Sequence, residues 1–452
     1  MRPSLVVRPI LMLVLLAAPI ASHAEAMDGS RLSAWWAMPF AGMLLGIALL
    51  PLLAPMLWHA HYGKIAIGWA MAFVLPFALQ NGASAALHVV AHALIAEYLP
   101  FIILLVALFA VAGGIYIRGN LHGSPGTNVR LIAVGAALAS VMGTTGASML
   151  MIRPLIRAND HRRTATHVII FFIFIVSNAA GALTPLGDPP LFLGFLQGVD
   201  FFWTARHLFG QTLFLCGALL AIFYAIDHWH YRGEEVRKPD PTPDTPSYGI
   251  DGKVNLLLLA VSVTAVLASG LWKPGIAFKV MGMQIGLPGL LRDAVLLGVA
   301  IVSMAVTPAK VRLDNEFSWA PMQEVAKLFL GIFITMAPVL AMLKAGTAGA
   351  FAPVALAVTA SNGDPQPWAY FWFSGVLSSF LDNAPTYLVF FNLAGGNPDQ
   401  LMTTLASTLA AVSCGSVFMG ANSYIGNAPN FMVKAIAEHR GIGMPSFFGY
   451  ML

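Results

Sequence analysis

The stretch SNAAGALTPLGDPPLFLGFL, residues 177–196, decides how the chain must fold. It follows the apolar run HVIIFFIFIV, so the combined segment exceeds the about 20 residues that cross a bilayer. Its centre nevertheless carries Pro185, Pro189 and Pro190, each of which removes a backbone donor and clashes with the preceding turn. Asp188 places a carboxylate at the same point. The sequence therefore predicts a membrane helix that is interrupted in mid-membrane.

Such an interruption requires a ligand or a protein partner. Backbone groups freed by the break each cost several kcal/mol in lipid, so they must face protein, water or a bound species. Carbonyls at the end of one half-helix suit a cation, and amides at the start of the next suit an anion. A charge at the bilayer centre costs at least about 2.5–3.5 kcal/mol on insertion scales. Asp188 therefore predicts a bound cation or a proton at the break.

The composition of the whole chain sets its environment. Of 452 residues, 58% are hydrophobic and 10% are charged, whereas soluble domains average about 25% charged residues. We therefore expect an all-α polytopic membrane protein. The net charge of +4 reflects membrane orientation through Lys and Arg in inner loops, so no nucleic-acid partner is expected. Cys216 and Cys414 lie in separate apolar runs and predict neither a disulfide nor a metal site.

Residues 1–26 are typical of a signal peptide. Two arginines precede the apolar run ILMLVLLAAPIA, and small residues follow at Ala24 and Ala26, as before a cleavage site. The alternative is an uncleaved first span, for which the apolar run is short. Either arrangement leaves residues 27–34 outside a bacterial inner (cytoplasmic) membrane, which is the expected location of this multi-pass protein.

Two apolar segments, 131–156 and 368–394, do not behave as ordinary spans. Arg130 precedes the first and an arginine cluster ends it, so a full crossing would carry positive loops outside. A re-entrant hairpin that enters and leaves on the inner side keeps both loops inside. The second segment lies between TASNGDPQPW and GGNPDQ, two loops without Lys or Arg. It predicts a hairpin entered from the outer side.

The chain divides into two halves of similar layout. The first half, 27–227, contains the inner hairpin 131–156 and a broken helix at 165–197. The second half, 254–452, contains the outer hairpin 368–394 and a broken helix at 400–437. A polar cytoplasmic linker with several prolines, 228–253, joins the halves. Because the hairpins open to opposite sides, the sequence predicts inverted-topology repeats, each with a re-entrant hairpin and a discontinuous helix, as in secondary transporters.

The motifs of the two halves can be aligned. GTTGAS (143–148) lies opposite LDNAPT (381–386), and TPLGDPP (184–190) lies opposite SYIGNAP (423–429). Asp382, in the second hairpin tip, is the one acidic counterpart of Asp188 among these motifs, and the two carboxylates are the expected ligands of a transported sodium ion. The motifs also hold neutral oxygen and amide groups: Thr144, Thr145, Ser148, Thr184, Asn383, Thr386, Asn422, Ser423, Asn427 and Asn430.

This set of side chains predicts one site for two competing cations. Hard cations prefer oxygen ligands of this kind, by analogy with calcium and magnesium sites. Two neighbouring carboxylates in a low dielectric can also share or exchange a proton. For Asp382 alone, the alternative is a structural role in capping the turn of the hairpin.

The motifs GTTGASMLMIRP, LTPLGDPPLFLGF, LDNAPTYLVFFN and GANSYIGNAPNFMVKA resemble those of the ion transporter superfamily. This group includes NhaD-type sodium/proton antiporters, arsenite-efflux-type permeases, citrate/metal:proton symporters and divalent-anion/sodium symporters. The resemblance covers nearly all of the mature chain and is greatest to a bacterial branch described as sodium:proton antiporter or citrate-transporter-like. It implies a secondary active transporter that works by alternating access. Members of the superfamily often form dimers, so it also implies a homodimer.

Two features depart from the superfamily pattern. In its carboxylate symporters the hairpin tips carry Ser-Asn-Thr motifs that bind sodium and substrate carboxylates. Here the tips look like Gly143-Thr144-Thr145 and Leu381-Asp382-Asn383. The two acidic residues would repel a multiply anionic substrate, which favours a cation-only exchanger but leaves a metal–citrate complex open. Relatives usually continue with one more span, so a chain stopping at MPSFFGYML is expected to be truncated or to lack that helix.

The sequence therefore predicts a sodium/proton antiporter that is not an enzyme and needs no cofactor. Its expected partners are the lipid bilayer, an inorganic cation and a proton. Uptake of citrate or another carboxylate, coupled to cations or protons, is the alternative within transport. A channel and a membrane-embedded aspartyl hydrolase are alternatives from other classes. The hydrolase would need two aspartates on ordinary facing helices, whereas here both lie at breaks or tips.

Overall fold

A computed structural model describes residues 27–119, 121–234, 248–281, 283–361 and 363–451. The expected signal peptide therefore lies outside the described residues, as does 235–247 in the expected linker. Within the described part of the chain, nine helices are long and apolar enough to cross a membrane. The prediction of an all-α polytopic membrane protein is thus confirmed.

Helices account for most of the described chain. Up to residue 234 they are α1 Met38–Leu53, α2 Pro55–Asn81, α3 Ala83–His92, α4 Leu99–Ala112, α5 Pro125–Met142, α6 Thr144–Ala158, α7 Thr166–Ile175, α8 Pro189–Leu196 and α9 Trp203–Gly233. A π-helix, Ala93–Tyr98, joins α3 to α4. Since α9 runs to Gly233, the first residues of the expected linker are helical.

The remaining helices follow the linker. They are α10 Val254–Leu271, α11 Leu287–Val306, α12 Ala309–Asp314, α13 Ala320–Lys344, α14 Ala352–Ala357, α15 Pro367–Phe380, α16 Asn383–Leu393, α17 Pro398–Met402, α18 Ala406–Met419, α19 Ala428–His439 and α20 Phe447–Met451. Short 3-10 helices occur at Gly29–Arg31, Ala34–Ala37, Ala179–Leu183, Gly346–Ala348 and Gly420–Asn422.

Two small antiparallel sheets complete the described structure. Strand β1, Tyr116–Arg118, pairs with β2, Gly249–Asp251, so that Tyr116 lies opposite Asp251. Strands β3, Ala277–Val280, and β4, Met283–Gly286, form a second pair. The Arg118 guanidinium lies 2.7 Å from the Asp251 carboxylate. The first sheet therefore joins the segment after α4 to the segment before α10.

Burial places the interrupted helix at the centre of the molecule. In the apolar run Thr166–Leu183, 72% of the span is buried, against 11% in α9. Ile173, Ile175 and Val176 have no exposed surface. A helix that is apolar on all sides and buried in protein belongs to the core, whereas one that keeps an apolar exposed face meets lipid. The break around Asp188 is therefore enclosed by protein.

The two hairpin turns have different chemistry. Helix α5 ends at Met142, Gly143 follows with a φ of +84° that favours glycine, and α6 begins at the next residue. Helix α15 ends before Leu381, and α16 begins after Asp382. The Asp382 carboxylate accepts a hydrogen bond of 3.0 Å from the Ala384 amide, which is an ordinary N-cap. One turn is thus made by backbone freedom and the other by a capping side chain.

A buried charged cluster joins α5, α7 and α9 away from the break. Asp227 accepts hydrogen bonds from Arg162 and, at 2.9 Å, from the Asn128 amide. His167 Nε2 lies 2.8 Å from the same carboxylate. The side chains of Arg162 and Asp227 are fully buried. The pair satisfies two charges that would otherwise be isolated from water.

We expect Asp227→Ala to lower the free energy of unfolding by about 3 kcal/mol, because the buried Arg162 loses its directly hydrogen-bonded partner and, among the described acidic side chains, keeps only the Glu234 carboxylate, 3.5 Å away. The measurement is the thermal unfolding midpoint of the purified protein in detergent. Asp314→Ala is the matched control, since the Lys310–Asp314 pair is also hydrogen-bonded, at 2.7 Å, but its lysine is 82% exposed. Asp314→Ala should lower the free energy of unfolding by less than about 1 kcal/mol, because the pair is exposed to solvent. Equal losses in the two variants would contradict this account.

Candidate functional site

The structure has two helix interruptions with the same order of elements. In the first, α7 gives way to the 3-10 helix Ala179–Leu183, then to extended backbone at Thr184 and Asp188, and α8 follows. In the second, α18 gives way to the 3-10 helix Gly420–Asn422, then to extended backbone at Ser423 and Asn427, and α19 follows. A proline near the start of α8 and of α19 suits a first helical turn. The interruptions lie at the two stretches that the sequence singled out.

Each hairpin tip is hydrogen-bonded to one interruption. The Thr144 amide donates to the Gly187 carbonyl at 2.7 Å, and the Asn383 amide donates to the Gly426 carbonyl at 3.1 Å. Ser140 Oγ donates to the Ala180 carbonyl at 2.6 Å, and Ser379 Oγ donates to the Met419 carbonyl at 3.1 Å. These side-chain and backbone donors satisfy groups that the breaks would otherwise leave unpaired.

The paired contacts correct the sequence alignment of the hairpin tips by one residue. Asn383, rather than Asp382, makes the contact that Thr144 makes in the other tip. Asn427 then stands in the second interruption where Asp188 stands in the first. The alignment went wrong because LDNAPT has no glycine to mark the turn: Asp382 caps its helix at the position that Gly143 occupies through positive φ. The structural counterpart of Asp188 is therefore Asn427, as the alignment of TPLGDPP with SYIGNAP indicates, and not the other carboxylate, Asp382.

The fold brings three of the predicted residues, Thr144, Asn383 and Asn427, into hydrogen-bond contact with the Asp188 carboxylate. Its Oδ1 accepts hydrogen bonds from Thr144 Oγ1 at 2.8 Å and from Asn427 Nδ2 at 3.0 Å. Its Oδ2 accepts from Asn383 Nδ2 at 2.6 Å. Only 1% of the residue is exposed. Both hairpin tips and both interruptions thus contribute to one enclosed carboxylate.

The partners of Asp188 are neutral donors. None of the ion pairs found in the described residues includes this carboxylate. Asn383 is fully buried, and its Oδ1 has no hydrogen-bond partner within the described structure. A buried negative charge held by neutral groups, beside an oxygen with free lone pairs, is suited to a cation or a proton.

Six other predicted residues hydrogen-bond to neighbouring backbone or side-chain groups and not to Asp188. Ser148 and Ser177 hydroxyls lie 2.8 Å apart. Thr184 donates to the Ser140 carbonyl at 2.5 Å, and Thr386 donates to the Asp382 carbonyl at 3.0 Å. The remaining polar contacts connect Ser423 Oγ to the Ile425 and Gly426 amides, Asn422 Nδ2 to Ser379 Oγ, and Asn430 Nδ2 to the Gly420 and Ser423 carbonyls.

Thr145 and Asp382, the last two predicted residues, also make no hydrogen bond to Asp188 among the described contacts. Thr145, in the first turn of α6, is half-buried and is not among the three donors to the carboxylate. Asp382 is half-buried and caps α16. Its carboxylate and that of Asp188 have no hydrogen-bond donor in common.

Sequence reasoning missed Asn178, which lies between α7 and the 3-10 helix Ala179–Leu183. It is fully buried, and its Nδ2 donates to Asn430 Oδ1 at 2.7 Å, across to the second interruption. Asn427 Nδ2 also donates to the Ser177 carbonyl at 3.0 Å. The available signal was a polar amide directly after the apolar run HVIIFFIFIV, in the same stretch as Asp188.

Comparison with known proteins shows the family to which the chain belongs. No curated protein matches the chain. A family described as "Putative citrate transport" matches residues 29–452, which is nearly the whole chain and includes both interruptions and both hairpin tips. Together with the nine membrane-spanning candidates in the described residues, this match shows that the chain belongs to that citrate-transport family, as a multi-pass membrane transporter embedded in the lipid bilayer.

Proposed function

We propose that the protein is a secondary active transporter that exchanges sodium for protons, with Asp188 as the group that alternately holds the two cations. One observation carries this proposal: a fully enclosed carboxylate lies where both helix interruptions and both hairpin tips meet, and only neutral groups donate to it. A fixed negative charge in such a place requires a positive species to offset it.

The proposed architecture is a pair of inverted-topology repeats. The order of elements in the two interruptions and the matched tip contacts of Thr144 and Asn383 support an internal repeat. The Lys and Arg distribution supports hairpins that enter from opposite sides. On this proposal the protein is a multi-pass protein of the bacterial inner membrane. A homodimer remains part of the proposal because of the superfamily resemblance.

The chemistry of one transport cycle follows from burial. Asp188 is almost inaccessible, so a cation can reach it only after the hairpins or interruptions move, which is the requirement for alternating access. With sodium bound, the Asp188 carboxylate and Asn383 Oδ1 would supply protein oxygens, and freed backbone carbonyls would add others. With a proton bound, the O–H bond neutralises the carboxylate. Each species leaves the site before the other binds, so an ion gradient can supply the energy.

Transport of citrate or another carboxylate, coupled to cations or protons, is the second candidate. The family description favours it, because that description refers to citrate. The charge of the site opposes a free citrate anion, since Asp188 is not paired with Lys or Arg among the described ion pairs. A metal–citrate complex would meet the carboxylate through its cation. A transporter family also favours either candidate over a hydrolase.

A flux assay on purified protein in liposomes separates the two candidates. We expect an outward sodium gradient to acidify the interior, as reported by a trapped pH dye, while labelled citrate shows no counterflow. Sodium is compared with lithium, potassium and choline, and protein-free liposomes measure leak. Citrate counterflow without a sodium-driven pH change would overturn the exchange proposal in favour of carboxylate transport. Saturable flux with obligatory exchange would separate both from a channel.

A further inference from the structure

We propose that Asn178 is a positioning residue for the cation site: it connects the two interrupted helices and fixes the orientation of the Asn427 amide toward Asp188. The expected effect on sodium binding rests on the proposed function. The hydrogen bonds that connect the two interrupted helices through Asn178 do not depend on it. Asn178 is fully buried at the junction of α7 and the 3-10 helix Ala179–Leu183.

The orientation of the Asn178 side chain is set by a carbonyl. Its Nδ2 lies 2.9 Å from the Ile173 carbonyl oxygen, which can only accept a hydrogen bond. The same nitrogen donates to Asn430 Oδ1 at 2.7 Å. Asn430 in turn directs its Nδ2 to the Gly420 and Ser423 carbonyls, at 2.9 Å each. The donors and acceptors of Asn178 and Asn430 are therefore complementary and admit one arrangement.

This arrangement reaches Asp188 through Asn427. Because Asn178 Nδ2 donates to the Ile173 carbonyl and to Asn430 Oδ1, Asn178 Oδ1 faces Asn427. It accepts a hydrogen bond of 3.3 Å from Asn427 Nδ2. That Asn427 nitrogen also faces the Ser177 carbonyl at 3.0 Å and Asp188 Oδ1 at 3.0 Å. Three acceptors surround one amide nitrogen, so the Asn427 carbonyl oxygen is kept away from the carboxylate. Of these three acceptors, one is a backbone carbonyl and one is the carboxylate of the ion site. Asn178 Oδ1 is the third, and it can be removed by substitution.

Loss of Asn178 should therefore change sodium binding more than the transport rate. We expect Asn178→Ala to raise the apparent KM for sodium about tenfold at fixed pH, the scale set by loss of one buried hydrogen bond and its fixed geometry. The maximal rate should stay within about twofold, because Asp188 and all three of its donors, Thr144, Asn383 and Asn427, remain. Asn392→Ala is the matched control, since Asn392 is equally buried but donates within its own helix, to the Leu388 carbonyl at 2.8 Å.

A double-mutant cycle tests whether Asn178 acts through Asn427. Adding Asn178→Ala to Asn427→Ala should raise the sodium KM by less than twofold beyond the single Asn427→Ala variant. Full additivity of the two KM effects, or an unchanged KM in Asn178→Ala, would overturn the proposal. If the wild-type protein moves no sodium, the proposed function fails separately. The connection is then judged by thermal unfolding: the Tm losses of the two single variants should not add, and additive losses would refute it.

Discussion

Asp188→Asn is expected to reduce sodium-driven proton movement to the level of protein-free liposomes while the protein still folds. The substitution keeps the shape of the side chain and removes the charge that holds either cation. Thr144 and Asn427 can still donate to the remaining oxygen. Asn383 can rotate its amide to present Oδ1, which has no partner within the described residues, to the new NH₂ group. Every polar atom of the new asparagine side chain can therefore have a hydrogen-bond partner, so the variant is expected to fold.

The measurement combines three readings from one preparation: yield after purification, Tm in detergent, and internal pH after a sodium gradient is imposed. A Tm within a few degrees of the wild type shows that lost exchange reflects lost charge. Sodium-dependent proton movement that survives in Asp188→Asn, with an unchanged pH dependence, would show that another group carries the ions.

Asp382→Asn is the informative companion, because it separates the two carboxylates that the sequence placed together. Asp382 caps α16 through the Ala384 amide, and asparagine caps a helix about as well as aspartate. We therefore expect exchange in Asp382→Asn to stay within about threefold of the wild type. Loss of exchange in a folded Asp382→Asn protein would show instead that the cycle needs both charges.

The positions of the helix breaks could be predicted because they depend on local chemistry. Proline at 185, 189 and 190 cannot supply an amide hydrogen wherever the chain goes, so the break near Asp188 is encoded in a few adjacent residues. The membrane environment could also be predicted from local sequence. Several apolar segments are about as long as a bilayer-spanning helix, and so many apolar side chains need lipid around them. Those two inferences need no knowledge of tertiary contacts.

The sequence named the three donors to Asp188, but it could not distinguish them from the other polar residues of the four motifs. Which residue of LDNAPT meets the Gly426 carbonyl depends on how one hairpin packs against a helix far away in the sequence. A glycine marks the turn in one tip and a capping aspartate in the other, so the residue types misaligned the tips by one. Asn178 was missed for a related reason: a single amide after an apolar run has many structural roles, and its contact with Asn430 appears only in three dimensions.

Gly187→Ala is expected to disrupt the first interruption and to abolish transport together with normal stability. A Cβ atom at Gly187 would lie 2.1 Å from the Gly181 carbonyl oxygen, which is far inside van der Waals contact. Both groups belong to the backbone, so no side-chain rotation relieves the overlap. The Gly187 carbonyl also accepts the Thr144 amide at 2.7 Å, so a shift of this segment moves the hairpin tip and Asp188. Overpacking of this kind costs about 1–3 kcal/mol or more.

The second interruption offers a parallel test, and the peripheral helices offer a control. A Cβ atom at Gly426 would lie 2.5 Å from the Gly420 carbonyl oxygen, so Gly426→Ala should lower Tm and transport in the same way. Gly68→Ala, in α2, meets no atom within 4 Å and should be neutral or stabilising by up to about 1 kcal/mol, because alanine favours helix over glycine. Wild-type Tm and flux in both Gly187→Ala and Gly426→Ala would mean that the two interruptions are not closely packed, and that the enclosed carboxylate lacks the rigid surroundings on which ion selectivity depends.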